Sequence, residues 1–172
     1  MKTATTWDRQ RVLTVVLFAI YGVVLVSVVL FKFPFIFDHP GDGRVVNLIP
    51  FKGSFDANGS FDDAELVQNI LFFVPLGVYL SMVVGRWSFW RRALLVLGVS
   101  VSFEVIQYAF DIGHADITDV IANTLGGVIG VGLYAALARA LKHRTNGVIN
   151  VAALILTVLA LAFLFFLRSH SR

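Results

Sequence analysis

Long apolar runs alternate with short polar breaks along this chain. Residues 1–11 are polar and carry Lys2, Arg9 and Arg11 against one acid, Asp8. Val12 to Phe31 is then almost wholly apolar for about 20 residues, the length that crosses a bilayer as a helix. It is too long for the apolar core of a signal peptide, and no small-residue cleavage pattern follows it. Further runs cover residues 66–84, 93–110, 117–141 and 148–167. The pattern predicts an all-α membrane protein, a bundle of about five transmembrane helices with one longer extracytoplasmic loop. Residues 1–11 are the expected cytoplasmic N-terminus and 12–141 a four-helix membrane domain. The run at 148–167 is the expected fifth helix, placed at the periphery because it offers the site no polar residue.

The breaks give the orientation. Phe31 to Phe37 mixes aromatics with a lysine and a proline, as at a lipid–water boundary. Residues 38–65 form the acidic loop, with turn signals at Asp38–Gly41 and Asn58-Gly59. Within it, Val45–Phe51 is apolar but too short to cross, which suggests a strand or a re-entrant piece. The N-terminal segment and the turns at 86–92 and 139–144 each hold three Lys or Arg. With five spans these three lie on one side, and the positive-inside rule makes that side the cytoplasm. The acidic loop and the C-terminus are then extracytoplasmic.

Composition agrees. The chain is 58% hydrophobic and only 15% charged, with a mean hydropathy of +0.81. A soluble domain of 172 residues cannot hide that much apolar surface. There is no cysteine, so disulfides and thiolate metal sites are excluded. The basic turns suit a membrane surface better than nucleic acid.

Against this background the polar positions inside the spans stand out. Asp116, Asp119, Asn123, Gly126, Gly130 and Tyr134 fall on one helical stripe. Ser100, Glu104, Gln107 and Asp111 form a second. Glu104 lies ~10 Å from the end of its helix at 1.5 Å per residue, and Asn123 and Asn69 fall at a similar depth. Short turns make neighbours of the second, third and fourth spans. Asn69, Glu104, Gln107, Asp119 and Asn123 are therefore expected to converge at the extracytoplasmic end. A carboxylate at mid-membrane costs roughly 2.5–3.5 kcal/mol, so such groups face inward and find partners.

Plainer readings stand beside these. Asp116 and Asp119 suit a helix N-cap with an acidic first turn. Asn69 and Asn123 suit interhelical hydrogen bonding, and Gly126 and Gly130 a packing seam. Pro75 suits a kink, and His114 a solvated turn. Glu104 has no such bland account. Metal-binding, P-loop, dinucleotide and G-x-S-x-G motifs are absent, and neither a metal nor a cofactor is expected.

Four segments resemble the VanZ-like family of bacterial membrane proteins. They are Asn47–Lys52, Asn69–Gly77, Glu104–Gln107 and Asp116–Gly127, spread over roughly residues 10–141. The resemblance implies a multi-pass protein of the bacterial cytoplasmic membrane, linked to low-level resistance to the glycopeptide teicoplanin. It also brings Asn47 and His114 into the ligand-binding set, with Asn69, Glu104, Gln107, Asp116, Asp119 and Asn123. His114 stands where the family usually has arginine.

Three functions follow in order. The first is an envelope protein whose outward polar pocket holds a cell-wall precursor, a lipid head group or the drug. The second is an intramembrane enzyme on a lipid-linked or peptidyl substrate, with Glu104 and Asp119 as acid and base. That reading lacks a nucleophile, so the balance leans against an enzyme. The third is a proton-linked carrier, disfavoured because few polar residues continue inward of Glu104. Membrane lipids are the expected partners, and the pattern carries no sign of an oligomeric state.

Overall fold

Each apolar run becomes a helix, because in lipid a backbone must satisfy its own hydrogen bonds. The computed structural model of the chain describes residues 4–31, 46–52, 64–112 and 115–170. In order these form α1 (Ala4–Phe31), β1 (Val46–Asn47), α2 (Ala64–Val83), α3 (Phe89–Phe110), β2 (Ala115–Asp116), α4 (Ile117–Leu141) and α5 (Thr145–His170). A 3-10 turn, Lys142–Arg144, joins α4 to α5. The chain is an all-α membrane protein apart from two short strands.

Some boundaries differ from expectation. α1 starts at Ala4, within the segment expected to be a polar tail. That segment contains no glycine or proline, so the helix continues past the end of the apolar run. α3 starts at Phe89, inside the basic turn. Ser88 stops the chain there in an extended conformation and accepts from the Arg91 N–H at 3.4 Å. Four described stretches are long and apolar enough to cross a membrane: Arg9–Leu30, Ala64–Val83, Phe89–Phe110 and Ile117–Phe163. The last takes in both α4 and α5, so length and apolarity alone do not separate the expected spans at 117–141 and 148–167. The backbone does break between them, at Lys142 with φ 51°.

α2 and α4 form the centre of the bundle, and their backbones nearly touch. A methyl group on Gly126 would collide with the Ile70 carbonyl, and one on Gly130 with the Val74 carbonyl. One on Gly77 would strike Gly127, whose own other side is filled by Val96 of α3. Such small-residue seams bring helices together where no hydrophobic effect drives association. Around this seam Leu25, Val29, Phe73, Leu76, Leu80, Val96 and Phe103 make a packed core. Outward-facing residues are also apolar, including Val23, Leu71, Leu94 and Val105, each 60% exposed or more. That combination fits lipid, since in water it would be one continuous apolar patch.

Pro75 sits inside α2 and cannot donate a backbone hydrogen bond. The carbonyl that loses its donor is that of Leu71; the next one, of Phe72, accepts from the Tyr21 hydroxyl of α1 at 2.6 Å. Tyr21 also stacks beside Tyr79 and Phe18. A neighbouring helix thus hydrogen-bonds to the backbone beside the proline.

α5 is peripheral along most of its length, being largely exposed beyond Asn150. It is nevertheless anchored by a polar residue outside the expected site. Asn150 is buried, and its Nδ2 donates to Thr14 Oγ1 of α1 at 2.9 Å. Tyr134 of α4 donates from its hydroxyl to Asn146 Oδ1 at 3.0 Å. Two amides near the start of α5 thus dock the helix, Asn150 onto α1 and Asn146 onto α4.

Candidate functional site

Within the acidic loop, Val46–Asn47 of the short apolar patch form a strand. β1 pairs in parallel with β2, Val46 opposite Ala115 and Asn47 opposite Asp116. A two-residue ladder is weak by itself, and side chains reinforce it. Asn47 Nδ2 donates to Asp116 Oδ2 at 2.8 Å, and the Phe51 N–H donates to Thr118 Oγ1 at 2.9 Å. Between them Ile49-Pro50-Phe51-Lys52 turns back, the Lys52 N–H donating to the Ile49 carbonyl at 3.3 Å. Proline second and a positive φ third mark a type II turn. The third residue is Phe51, at φ 61°, where glycine would carry no strain.

This segment is fastened to the start of α4. Asp116 is the N-cap: its Oδ1 accepts from the Thr118 N–H at 2.7 Å. The capping reading is therefore correct but incomplete. The other carboxylate oxygen holds Asn47, and the Asp116 backbone N–H donates to Glu104 Oε2 at 2.8 Å. One residue ties β1, α3 and α4 together.

Below it a small cavity lies between the helices. It is lined by Val28 and Val29 of α1, Glu65, Asn69 and Phe72 of α2, Glu104 and Gln107 of α3, and Asp119 and Asn123 of α4. The five residues expected to converge are all in its wall. Asn69 Nδ2 donates to Asp119 Oδ1 at 2.7 Å, bridging α2 and α4. Gln107 Nε2 donates to the Val29 carbonyl of α1 at 3.0 Å. The second stripe thus faces inward: Ser100, Glu104 and Gln107 are all buried. Asp111 does not join them; it is exposed and caps α3 at φ 57°. Asn47 and Asp116 stand above the cavity rather than in its wall. His114 lies outside the described residues.

Three contributors escaped the sequence pattern. α1 supplies a wall although its residues here are plain valines. Glu65 belongs to the start of α2, not to the acidic loop. Thr118 holds the Phe51 backbone, a role that no spacing announces.

The wall constrains the chemistry. The cavity is partly open and its volume is about 10 Å³, room for roughly one water molecule. The body of a glycopeptide or a cell-wall precursor does not fit inside it. Among the described residues of the wall there is no serine, threonine, cysteine or lysine to act as a nucleophile. No described group of three His, Asp or Glu is placed to hold a metal ion. Among the described residues four buried polar atoms have no hydrogen-bond partner: Gln107 Oε1 and Asn123 Oδ1 in the cavity wall, and Ser100 Oγ and Thr124 Oγ1. Toward the basic end, Phe73 and Val96 are fully buried and Val96 packs onto Gly127, but Ser81 and Ser100 are fully buried there too.

No solved structure matches this chain. The VanZ/LLP1 family model matches residues 18–139, which takes in α2, α3, half of α1, most of α4 and the whole cavity wall. Protein VanZ of Enterococcus faecium is 35% identical over 166 residues, covering 94% of this chain and 96% of the relative. That likeness reaches beyond residue 141 into α5, further than the sequence motifs extend. On the family match and on this near full-length identity, the chain belongs to the VanZ/LLP1 family of membrane proteins.

Proposed function

We propose that this protein is an outward-facing binding protein of the bacterial cytoplasmic membrane, and that it lowers susceptibility to teicoplanin-type glycopeptides. It does so by engaging the polar tip of an envelope precursor or lipid head group. The observation that carries this is the small, partly open cavity walled by Asn69, Glu104, Gln107, Asp119 and Asn123 at one end of the bundle. Buried amides and carboxylates are costly in a membrane and are retained around sites. The size of the space favours the tip of a head group over the drug itself.

The topology belongs to this reading. Five crossings, with α4 and α5 counted apart at Lys142, put three basic clusters on one side. They are Lys2, Arg9 and Arg11; Arg86, Arg91 and Arg92; and Arg139, Lys142 and Arg144. By the positive-inside rule that side is cytoplasmic, and the cavity opens towards the cell exterior.

Deleting the gene should raise teicoplanin susceptibility several-fold, and a wild-type copy should restore it. A Glu104→Gln copy keeps an acceptor for the Asp116 N–H but loses the carboxylate, and should fail to restore it despite normal membrane levels. Unchanged susceptibility in the deletion strain would sink this reading.

A further inference from the structure

The segment that clasps the start of α4 has its polarity turned inside out. Asn47 is half-buried; its Nδ2 donates to Asp116, and its Oδ1 accepts from the Ile49 N–H at 3.2 Å. The Phe51 N–H is turned onto Thr118. The apolar side chains point the other way. Leu48 is 73% exposed and Ile49 57%, and Val46, Pro50 and Phe51 are exposed beside them. A loop in water turns its polar side chains out and its apolar ones in. A run of exposed apolar residues marks a surface that meets a partner or a membrane.

Depth selects the membrane. α3 has 22 residues, ~33 Å at 1.5 Å per residue, close to the ~30 Å of a hydrocarbon core. Its C-terminal end therefore lies at the edge of that core, and the start of α4, which follows through β2, lies there too. The clasp is bonded to Asp116 and Thr118, so it sits at head-group depth. Phe110, the last residue of α3, is 72% exposed at the same level, so the lipid-facing surface of the bundle reaches this height. A turn cannot enter the hydrocarbon itself, because its free backbone groups need water; the head-group region offers water and apolar contact together. Lys52, just beyond the apolar residues, is exposed and suits the lipid phosphates. We infer that residues 48–51 are a membrane-contact surface, whose side chains insert among the head groups and upper acyl chains while Lys52 stays in water. The partner is the lipid surface. The inference depends neither on a ligand in the cavity nor on which side of the membrane this end faces.

The absence of cysteine makes this directly testable on the full chain. Leu48→Cys, Ile49→Cys and Lys52→Cys are each spin-labelled, with Val105→Cys on the exposed face of α3 as the lipid reference. The labelled proteins are placed in nanodiscs of equal parts phosphatidylcholine and phosphatidylglycerol, which leave both faces open to solutes. Collision rates are measured with oxygen, which concentrates among acyl chains, and with a water-soluble nickel chelate. The oxygen-to-nickel ratio at residues 48 and 49 should approach that at residue 105 and exceed that at residue 52 several-fold. Ratios at 48 and 49 equal to that at 52 overturn the inference, because all three then face water. Low rates with both probes overturn it as well, because protein then covers the patch. A second measurement needs no substitution. A lipid-soluble diazirine, photolysed in nanodiscs that hold the unsubstituted chain, should label residues 48–51 within the tryptic peptide 45–52. Labelled transmembrane helices beside an unlabelled 45–52 peptide would refute the contact.

Discussion

Asp116 carries several contacts at once. It caps α4, anchors Asn47 and presents its backbone N–H to Glu104. Substitution separates these roles. Asp116→Asn keeps a good cap but turns the oxygen that holds Asn47 into a donor, so it should lose the tether alone, whereas Asp116→Ala should cost about 1–2 kcal/mol through the lost cap and tether. Thermal unfolding of the two variants side by side checks this; equal loss in both would mean that the tether, not the cap, is the main contribution. The cap was legible as an Asp before a helix with an acid in its first turn. Its second and third partners were not, because they come from residues far away in the chain. Phe51 is a similar case: nothing in the sequence marks a phenylalanine for the left-handed position of a turn.

The helices are held by a seam whose glycines are not equivalent. Gly126 and Gly130 of α4 face the carbonyls of α2, whereas Gly98 of α3 and Gly132 of α4 have open space around them. Gly130→Ala should therefore destabilise by about 1–3 kcal/mol, through forced separation of the two helices. Gly98→Ala and Gly132→Ala should stabilise by up to about 1 kcal/mol, because alanine is the better helix former. Unfolding midpoints moving in opposite directions are the expected outcome; a fall in all three would contradict the seam. Helical spacing correctly placed Gly126 and Gly130 on the stripe of Asp119 and Asn123. Spacing could not tell them from Gly98 or Gly132, since only the position of α2 makes that distinction.

The molecule as a whole offers a clean test of orientation, because it has no native cysteine. Single substitutions at exposed positions report sidedness directly. Lys52→Cys, beside the strand end, should react with a membrane-impermeant maleimide in intact cells. Arg86→Cys, in the turn between α2 and α3, should react only after permeabilisation. The reverse pattern would invert the protein and turn the cavity towards the cytoplasm.

What the sequence determined by itself was the solvent and the element type. Runs of apolar residues long enough to span lipid leave helix as the one economical backbone, and a rare acid within them must face inward. Depth followed as well, because 1.5 Å per residue placed Asn69, Glu104 and Asn123 at one level. Tertiary structure alone decided how these helices pack and what closes the space between them. The valines of α1, Glu65, the clasp of Asn47 on Asp116 and the docking of α5 through Asn150 all depend on contacts between distant segments. Periodicity reports which face of a helix is polar, not which neighbour that face will meet.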